Sequence, residues 1–186
     1  MASAMPYHDR QIMAPRHPHP EPVARTLWPS PIGDLLLVAS EQALLGCWFR
    51  DQRGIPDWTD QVPEQPTHPL LRAASAQLQA YFEGSRRDFE LPLDCSRGTE
   101  FQQSVWRALA AIPCGQTVSY GQLAQAVGRP RAVRAVGGAV GRNPLGILLP
   151  CHRVVGSHGA LTGYTGGLER KTALLRLEQA QASPRP

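Results

Sequence analysis

Leu148-Leu149-Pro150-Cys151-His152-Arg153-Val154-Val155 sets a cysteine beside a histidine, behind a proline and between two short apolar runs. Cysteine in an apolar segment is ordinarily packing. A free thiol, with a pKa near 8.5, is only a few per cent thiolate at neutral pH and needs a base to become a nucleophile. His152 is such a base. In extended chain its ring points away from Cys151, so a water between them is the natural relay. A carboxylate would orient the imidazole, and Glu178 on the last helix is the best candidate, with Glu169 also near. From these eight residues alone, core and chemistry both stay open.

Upstream, Thr99-x-x-Gln102 forms a capping-box pattern, followed by Phe101, Val105, Leu109 and Ile112 at helical spacing and Pro113 as a stop. TVSYGQLAQAVG (117–128) reads as a short extended piece, a helix, and Gly128 at the position after its end. Pro130 suits the first turn of a further helix, PRAVRAVGGAV. Two short helices joined by Gly-Arg-Pro suggest a helix-turn-helix. Arg131 and Arg134 would share one face of the second helix, among Ala132, Ala135, Gly137, Gly138 and Ala139. Major-groove readers carry long polar side chains, which this helix lacks. It suits a minor-groove or backbone binder with one inserted side chain, or equally a core helix packed through small residues.

Charge favours the first of these. Between Thr99 and Glu178, nine Arg or Lys face three Glu, an excess of +6, whereas the rest of the chain is net −2. A basic excess confined to one half is the footprint of nucleic-acid contact.

The first half carries no comparable constellation. Residues 1–24, rich in Pro and His, read as a disordered tail; His17 and His19 could bind a metal, but a solvated tail is the simpler reading. Leu35–Val38 and Leu44–Phe49, flanking Ser40-Glu41-Gln42, read as paired strands. A helix follows with Leu71, Ala74, Leu78 and Phe82 inward and Gly84 as its stop, and then a strand over 88–94. The expected organisation is a small α/β domain over 25–95, a mostly helical domain over 99–180, and a flexible tail over 181–186. None of Cys47, Cys95, Cys114 and Cys151 forms a C-x-x-C pair, and no secretory or membrane-spanning run is present, which suggests free thiols in a reducing cytoplasm.

Leu149-Pro150-Cys151-His152-Arg153-Val154-Val155 also resembles the signature of the O6-alkylguanine-DNA alkyltransferases. Val118-Ser119-Tyr120, Arg134-Ala135-Val136-Gly137-Gly138-Ala139, Asn143-Pro144 and Gly163-Tyr164-Thr165-Gly166-Gly167-Leu168 are similar to family motifs, in the family's order. The resemblance covers Glu100 to Glu178 closely, and the first half more loosely through Ser30-Pro31-Ile32-Gly33 and Leu44–Phe49. It implies a ribonuclease H-like α/β domain and a winged-helix-like domain.

It further implies direct-reversal repair. Cys151 would take the alkyl group from O6 of guanine, irreversibly and once per molecule. His152 would be the base through water, Glu178 its orienting partner, and Tyr120 the donor to the departing guanine. Asn143 would tie the helix-turn-helix to the active segment. Arg134 would fill the gap left by the flipped nucleotide, with Arg129, Arg131, Tyr120, Gly121 and Ser157 on the DNA. Tyr164, Thr165 and the Val154 carbonyl would hold the base. The partner implied is double-stranded DNA carrying O6-alkylguanine; the protein would act as a monomer, with clustering on DNA and O4-alkylthymine as a substrate left open. No cofactor and no metal are implied. The cysteine pattern of the zinc site in mammalian members is missing, Thr165 stands where some relatives have serine, and Gly146 where some have proline. A lesion-binding protein without transfer is disfavoured by the presence of Cys151, a helix-turn-helix regulator by the small-residue helix, and a cysteine hydrolase by the lack of an oxyanion device.

Overall fold

The computed structural model describes residue 12 and residues 19–182. The first half is built on an antiparallel sheet of β1 (Ala24–Ser30), β2 (Gly33–Ala39) and β3 (Leu44–Phe49), in that order. β2 is apolar at successive positions because both of its faces are covered. Leu35, Leu37 and Ala39 face the main core; Leu36 and Val38 join Leu45, Trp48 and Val62 in a smaller cluster on the other side. β1 is not signalled by the sequence because Pro29 interrupts it. As an edge strand it tolerates a residue with no amide to give, and Pro29 pairs with Asp34 beside the Pro31-Ile32 turn.

Helix α1 (Pro69–Phe82) packs Leu71, Ala74 and Leu78 inward as its spacing predicts, but the fourth buried residue is Tyr81 and not Phe82, which is half-buried. The strand expected over 88–94 reduces to isolated bridges from Leu93, to Leu44 and to Ile12. Toward Leu44 the backbone bonds are Leu44 N–H to Pro92 O and Asp94 N–H to Leu44 O, and Pro92 has no amide to extend the ladder.

The second half is helical. In α2 (Glu100–Ala110) the expected capping box is present, Thr99 Oγ1 accepting from Gln102 N and Gln102 Oε1 from Thr99 N. A second capping box, Ser119 with Gln122, opens α3 (Tyr120–Ala126). Just before it, β4 (Val118–Ser119) pairs in parallel with β5 (Val154–Val155), so the start of α3 is fastened to the chain just beyond Cys151. Gly128, at φ 68°, lets Arg129 N–H reach back to Ala124 O. Pro130 does not open the next helix. A turn closed by Ala132 N–H to Arg129 O holds it, and α4 (Val133–Gly141) begins after that turn. Arg131 therefore lies in the turn and does not share a helical face with Arg134.

α5 (Leu168–Ala182) closes the fold. It runs through 181 and 182, where the flexible tail is expected to begin, and 183–186 lie outside the described residues. Most of the tail expected over 1–24, His17 included, also lies outside them. Where described it is packed: Ile12 is buried and bridges Leu93, Val23 N–H bonds Ala39 O, and Ala24 begins β1. One apolar core runs through both halves, from Leu35 to Leu174. Backbone bonds Cys47 N–H to Pro144 O (2.8 Å) and Gly146 N–H to Cys47 O (2.9 Å) join β3 to the segment leading to Cys151.

Candidate active site

That segment is a chain of tight turns. Asn143 Nδ2 donates to Leu149 O (2.8 Å) and its Oδ1 accepts from Leu145 N (3.0 Å), so one buried amide spans the loop between α4 and the cysteine. Inside the loop, Leu148 N–H bonds Gly146 O around Ile147, held at φ 68°. A β-branched residue with positive φ is strained, and only surrounding packing maintains it. Ile147 is almost wholly buried. Pro150, at φ −78° and ψ 65°, makes an inverse γ-turn closed by Cys151 N–H to Leu149 O (2.7 Å). Cys151–Arg153 then forms one 3-10 turn rather than extended chain, because Arg153 N–H closes on Pro150 O.

His152 and Glu178 are fully buried, with Nε2 and Oε1 2.8 Å apart. The carboxylate fixes the ring's tautomer: Nε2 carries the proton, and Nδ1 is left as the basic nitrogen. Nδ1 is buried and has no hydrogen-bond partner among the described residues. Glu178 Oε1 also accepts from Tyr81 OH (2.7 Å) and Arg153 Nη2 (2.9 Å), and Oε2 from Arg153 Nε (2.9 Å) and Gly115 N (3.3 Å). Burial alone would raise the Glu178 pKa, but His152 and Arg153 hold it well below the usual carboxylate range. Burial lowers the His152 pKa, against the opposing pull of Glu178, which favours the neutral imidazole.

Burial raises the Cys151 thiol, while the Asn143 side chain, the Cys151 and His152 amides and Lys171 pull the other way. Lys171 is the chain's only lysine and is fully buried. Its Nζ donates to Val154 O (2.6 Å), Thr162 O (3.0 Å) and Gly163 O (3.3 Å). The Val154 carbonyl, expected to face a substrate base, thus already accepts one bond. The other cysteines have no comparable help: burial raises Cys47 far above its ordinary value, Cys95 to about 12 and Cys114 to about 11.

Cys151 opens into a cavity of about 330 Å³ lined also by Tyr120, Asn143, Tyr164 and Thr165. Glycines 137, 141, 146, 163 and 166 form much of its wall. Tyr120 OH is 3.4 Å from Thr162 O and 3.5 Å from Gly163 O. Thr165 Oγ1 donates to Gly141 O (2.8 Å), tying the loop after Gly163 to the end of α4. Arg129, Arg131 and Arg134 are exposed around the helix-turn-helix, Gly121 lies half-exposed in the first turn of α3, and Ser157 is exposed in a 3-10 turn after β5. Val136, Ala139 and Val140 of α4 face the core, while Arg134 stands exposed on the other side.

Sequence reasoning passes over four residues of this site. Arg153 stands inside the quoted segment but looks like one more positive charge. Lys171 could be noticed as the lone lysine, set one turn into a helix of leucines. Tyr81 and Gln52 come from the first half and give no local signal; Gln52 joins the lining of the Cys151 cavity. Among the described residues no group of three or more His, Cys, Asp or Glu could hold a metal, and no helix is long and apolar enough to cross a membrane.

Comparison with known proteins adds an independent line. Residues 100–180 match the family profile described as 6-O-methylguanine DNA methyltransferase, DNA binding domain, and residues 23–95 its ribonuclease-like domain. The chain is 47% identical over 153 residues to a methylated-DNA--protein-cysteine methyltransferase of Mycobacterium tuberculosis, covering 82% of this chain and 90% of the relative. One from Methanosarcina mazei is 46% identical over 154 residues, covering 81% and 93%. Among solved structures, M. tuberculosis OGT in complex with DNA superposes with a TM-score of 0.78 at 43% identity, over 86% of this chain and 95% of that one. The O6-methylguanine-DNA methyltransferase from Pyrococcus kodakaraensis gives 0.60 at 26% identity, over 83% and 98%.

Proposed function

The chain belongs to the 6-O-methylguanine DNA methyltransferase family, and from that membership we propose that it repairs O6-alkylguanine in double-stranded DNA by taking the alkyl group onto Cys151. The observation that carries the assignment is the position of Cys151: the thiol opens into the cavity while its neighbour His152 is buried against Glu178. A base stacked in a duplex cannot bring its O6 substituent to a buried thiol. The nucleotide is therefore flipped out, at a cost of about a few kcal/mol that is smaller for a poorly paired lesion. Exposed Arg134 on α4 takes its place in the stack, and Arg129, Arg131, Gly121 and Ser157 contact the DNA around it.

In the transfer, the sulfur attacks the alkyl carbon, the S–C bond forms and the C–O6 bond breaks. The electron pair of that bond goes to the purine, which Tyr120 relieves by donating a proton. The thiol proton passes through a water to His152 Nδ1, and Glu178 stabilises the imidazolium that results. Asn143 and Lys171 favour the thiolate at the moment the base closes on it. Tyr164, Thr165 and Val154 hold the guanine. A thioether has no leaving path back, so each molecule acts once. The protein works as a monomer in the cytoplasm, beside the nucleoid in a bacterium; its four free cysteines support a reducing compartment.

Turnover tests this reading. With methylated duplex in excess, the guanine restored should plateau at one equivalent per protein. A continuing linear phase would mean that the alkyl group is passed on, and would overturn it.

A further inference from the structure

We propose that Gln52 is a specificity-determining residue of the alkyl pocket, and that it favours O6 substituents ending in a hydrogen-bond acceptor, such as carboxymethyl, over plain alkyl chains of the same size. The inference rests on the reading of Cys151 as acceptor. Gln52 lies in the turn that leaves β3, closed by Gln52 N–H to Phe49 O (3.0 Å). Its side chain folds back, and Oε1 accepts from Phe49 N (3.0 Å). That bond fixes the orientation of the carboxamide: the oxygen is committed to the backbone, and Nε2 remains with its two donors. Gln52 is half-buried and lines the same cavity as Cys151, Gly146 and Tyr164.

The turn is held from the opposite half. Arg170 grips Asp51 through two bonds, Nη1 to Oδ1 (2.7 Å) and Nη2 to Oδ2 (2.9 Å), with its guanidinium 4.3 Å from the Phe49 ring centre. The same side chain donates to Ile32 O (2.8 Å) and Gly166 O (3.1 Å). A bidentate pair stacked on an aromatic ring is a rigid mount, so Gln52 is presented in a set place rather than swept through solvent.

Of the other polar groups of the wall, Tyr164 lies beside Cys151 and is assigned to the guanine, and three more are committed. Thr165 Oγ1 is bonded to Gly141 O, Tyr120 OH faces the Thr162 and Gly163 carbonyls, and Asn143 spans Leu149 and Leu145. The glycine lining leaves room for a substituent longer than methyl but offers it no side-chain donor. An acceptor carried by the substituent meets Gln52 Nε2. Where a site offers a hydrogen-bond donor to a group, a substrate lacking that group forgoes the bond as well as the contact area.

Single-turnover transfer is measured from duplexes carrying O6-methyl-, O6-propyl- or O6-carboxymethylguanine. Gln52→Glu keeps an oxygen for Phe49 N–H and removes the donor; Gln52→Leu removes both without adding charge. The expected result is that the carboxymethyl-to-propyl rate ratio falls about tenfold in Gln52→Leu, about the worth of one hydrogen bond, and further in Gln52→Glu. Equal slowing on both substrates, with the ratio kept within about twofold in either variant, would overturn the assignment. Failure of the unaltered protein to act on O6-methylguanine would strike the parent reading instead.

Discussion

Glu178, fully buried, accepts five hydrogen bonds, from His152, Tyr81, Gly115 and, twice over, Arg153. Arg153 neutralises the carboxylate whatever the state of His152, so the imidazole need not be charged for Glu178 to be buried. This makes the site sensitive to acid. An unfolded imidazole binds its proton near pH 6.5, whereas folded His152 resists until lower pH. Between those values the unfolded chain holds more protons, so stability falls as pH drops below about 6.5. Glu178, whose folded pKa is depressed, adds a second loss below about pH 4.3. Urea midpoints should therefore decline between pH 7.5 and 5.5, more steeply than in His152→Gln; identical slopes for both proteins would show that His152 is not the group responsible. The sequence reading reached His152 from its place beside Cys151, and Glu178 over Glu169 through resemblance to a known pattern. It did not reach Tyr81, because a tyrosine on an apolar helix face looks like packing, and nothing local says that its hydroxyl crosses 97 residues to a carboxylate.

The elements that carry local signals were legible. Thr99 and Gln102, the β2–β3 runs and Gly128 each specify structure through their own neighbours. The misreadings share another cause, which is that distant partners decided the outcome. β1 exists because β2 needs an edge partner, the 88–94 strand fails because Pro92 cannot extend its pairing, and Pro130 falls in a turn that the Arg129 carbonyl closes. For α4 the consequence is functional, since its start after that turn leaves Arg134 exposed in the first helical turn while Val136, Ala139 and Val140 are buried. If Arg134 fills the stack during flipping, Arg134→Ala should slow transfer from methylated duplex at least tenfold and leave transfer from free O6-benzylguanine within about twofold. An equal loss on both substrates would place Arg134 in the chemistry or in the fold rather than in the flip.

Across the whole molecule, the two halves are not a catalytic unit with a spacer. Core packing is continuous between them, Cys47 and Gly146 share backbone bonds, Tyr81 reaches Glu178, and Arg170 grips Asp51. The first half supplies no group with evident chemistry in its sequence, yet Tyr81 bonds Glu178 at one end and Gln52 lines the Cys151 cavity at the other. That dependence was hidden because each contact joins residues that are far apart in the chain and unremarkable alone. It also frames the claim on which everything else rests, that the single reactive sulfur is Cys151 and not its buried neighbour Cys47. The direct measurement is peptide mass mapping after one round of reaction with methylated duplex. The account predicts one added methyl group, found only on the peptide holding Cys151 and absent in Cys151→Ser. A methyl group on Cys47 or any other residue, or restored guanine with no mass gained by the protein, would contradict it.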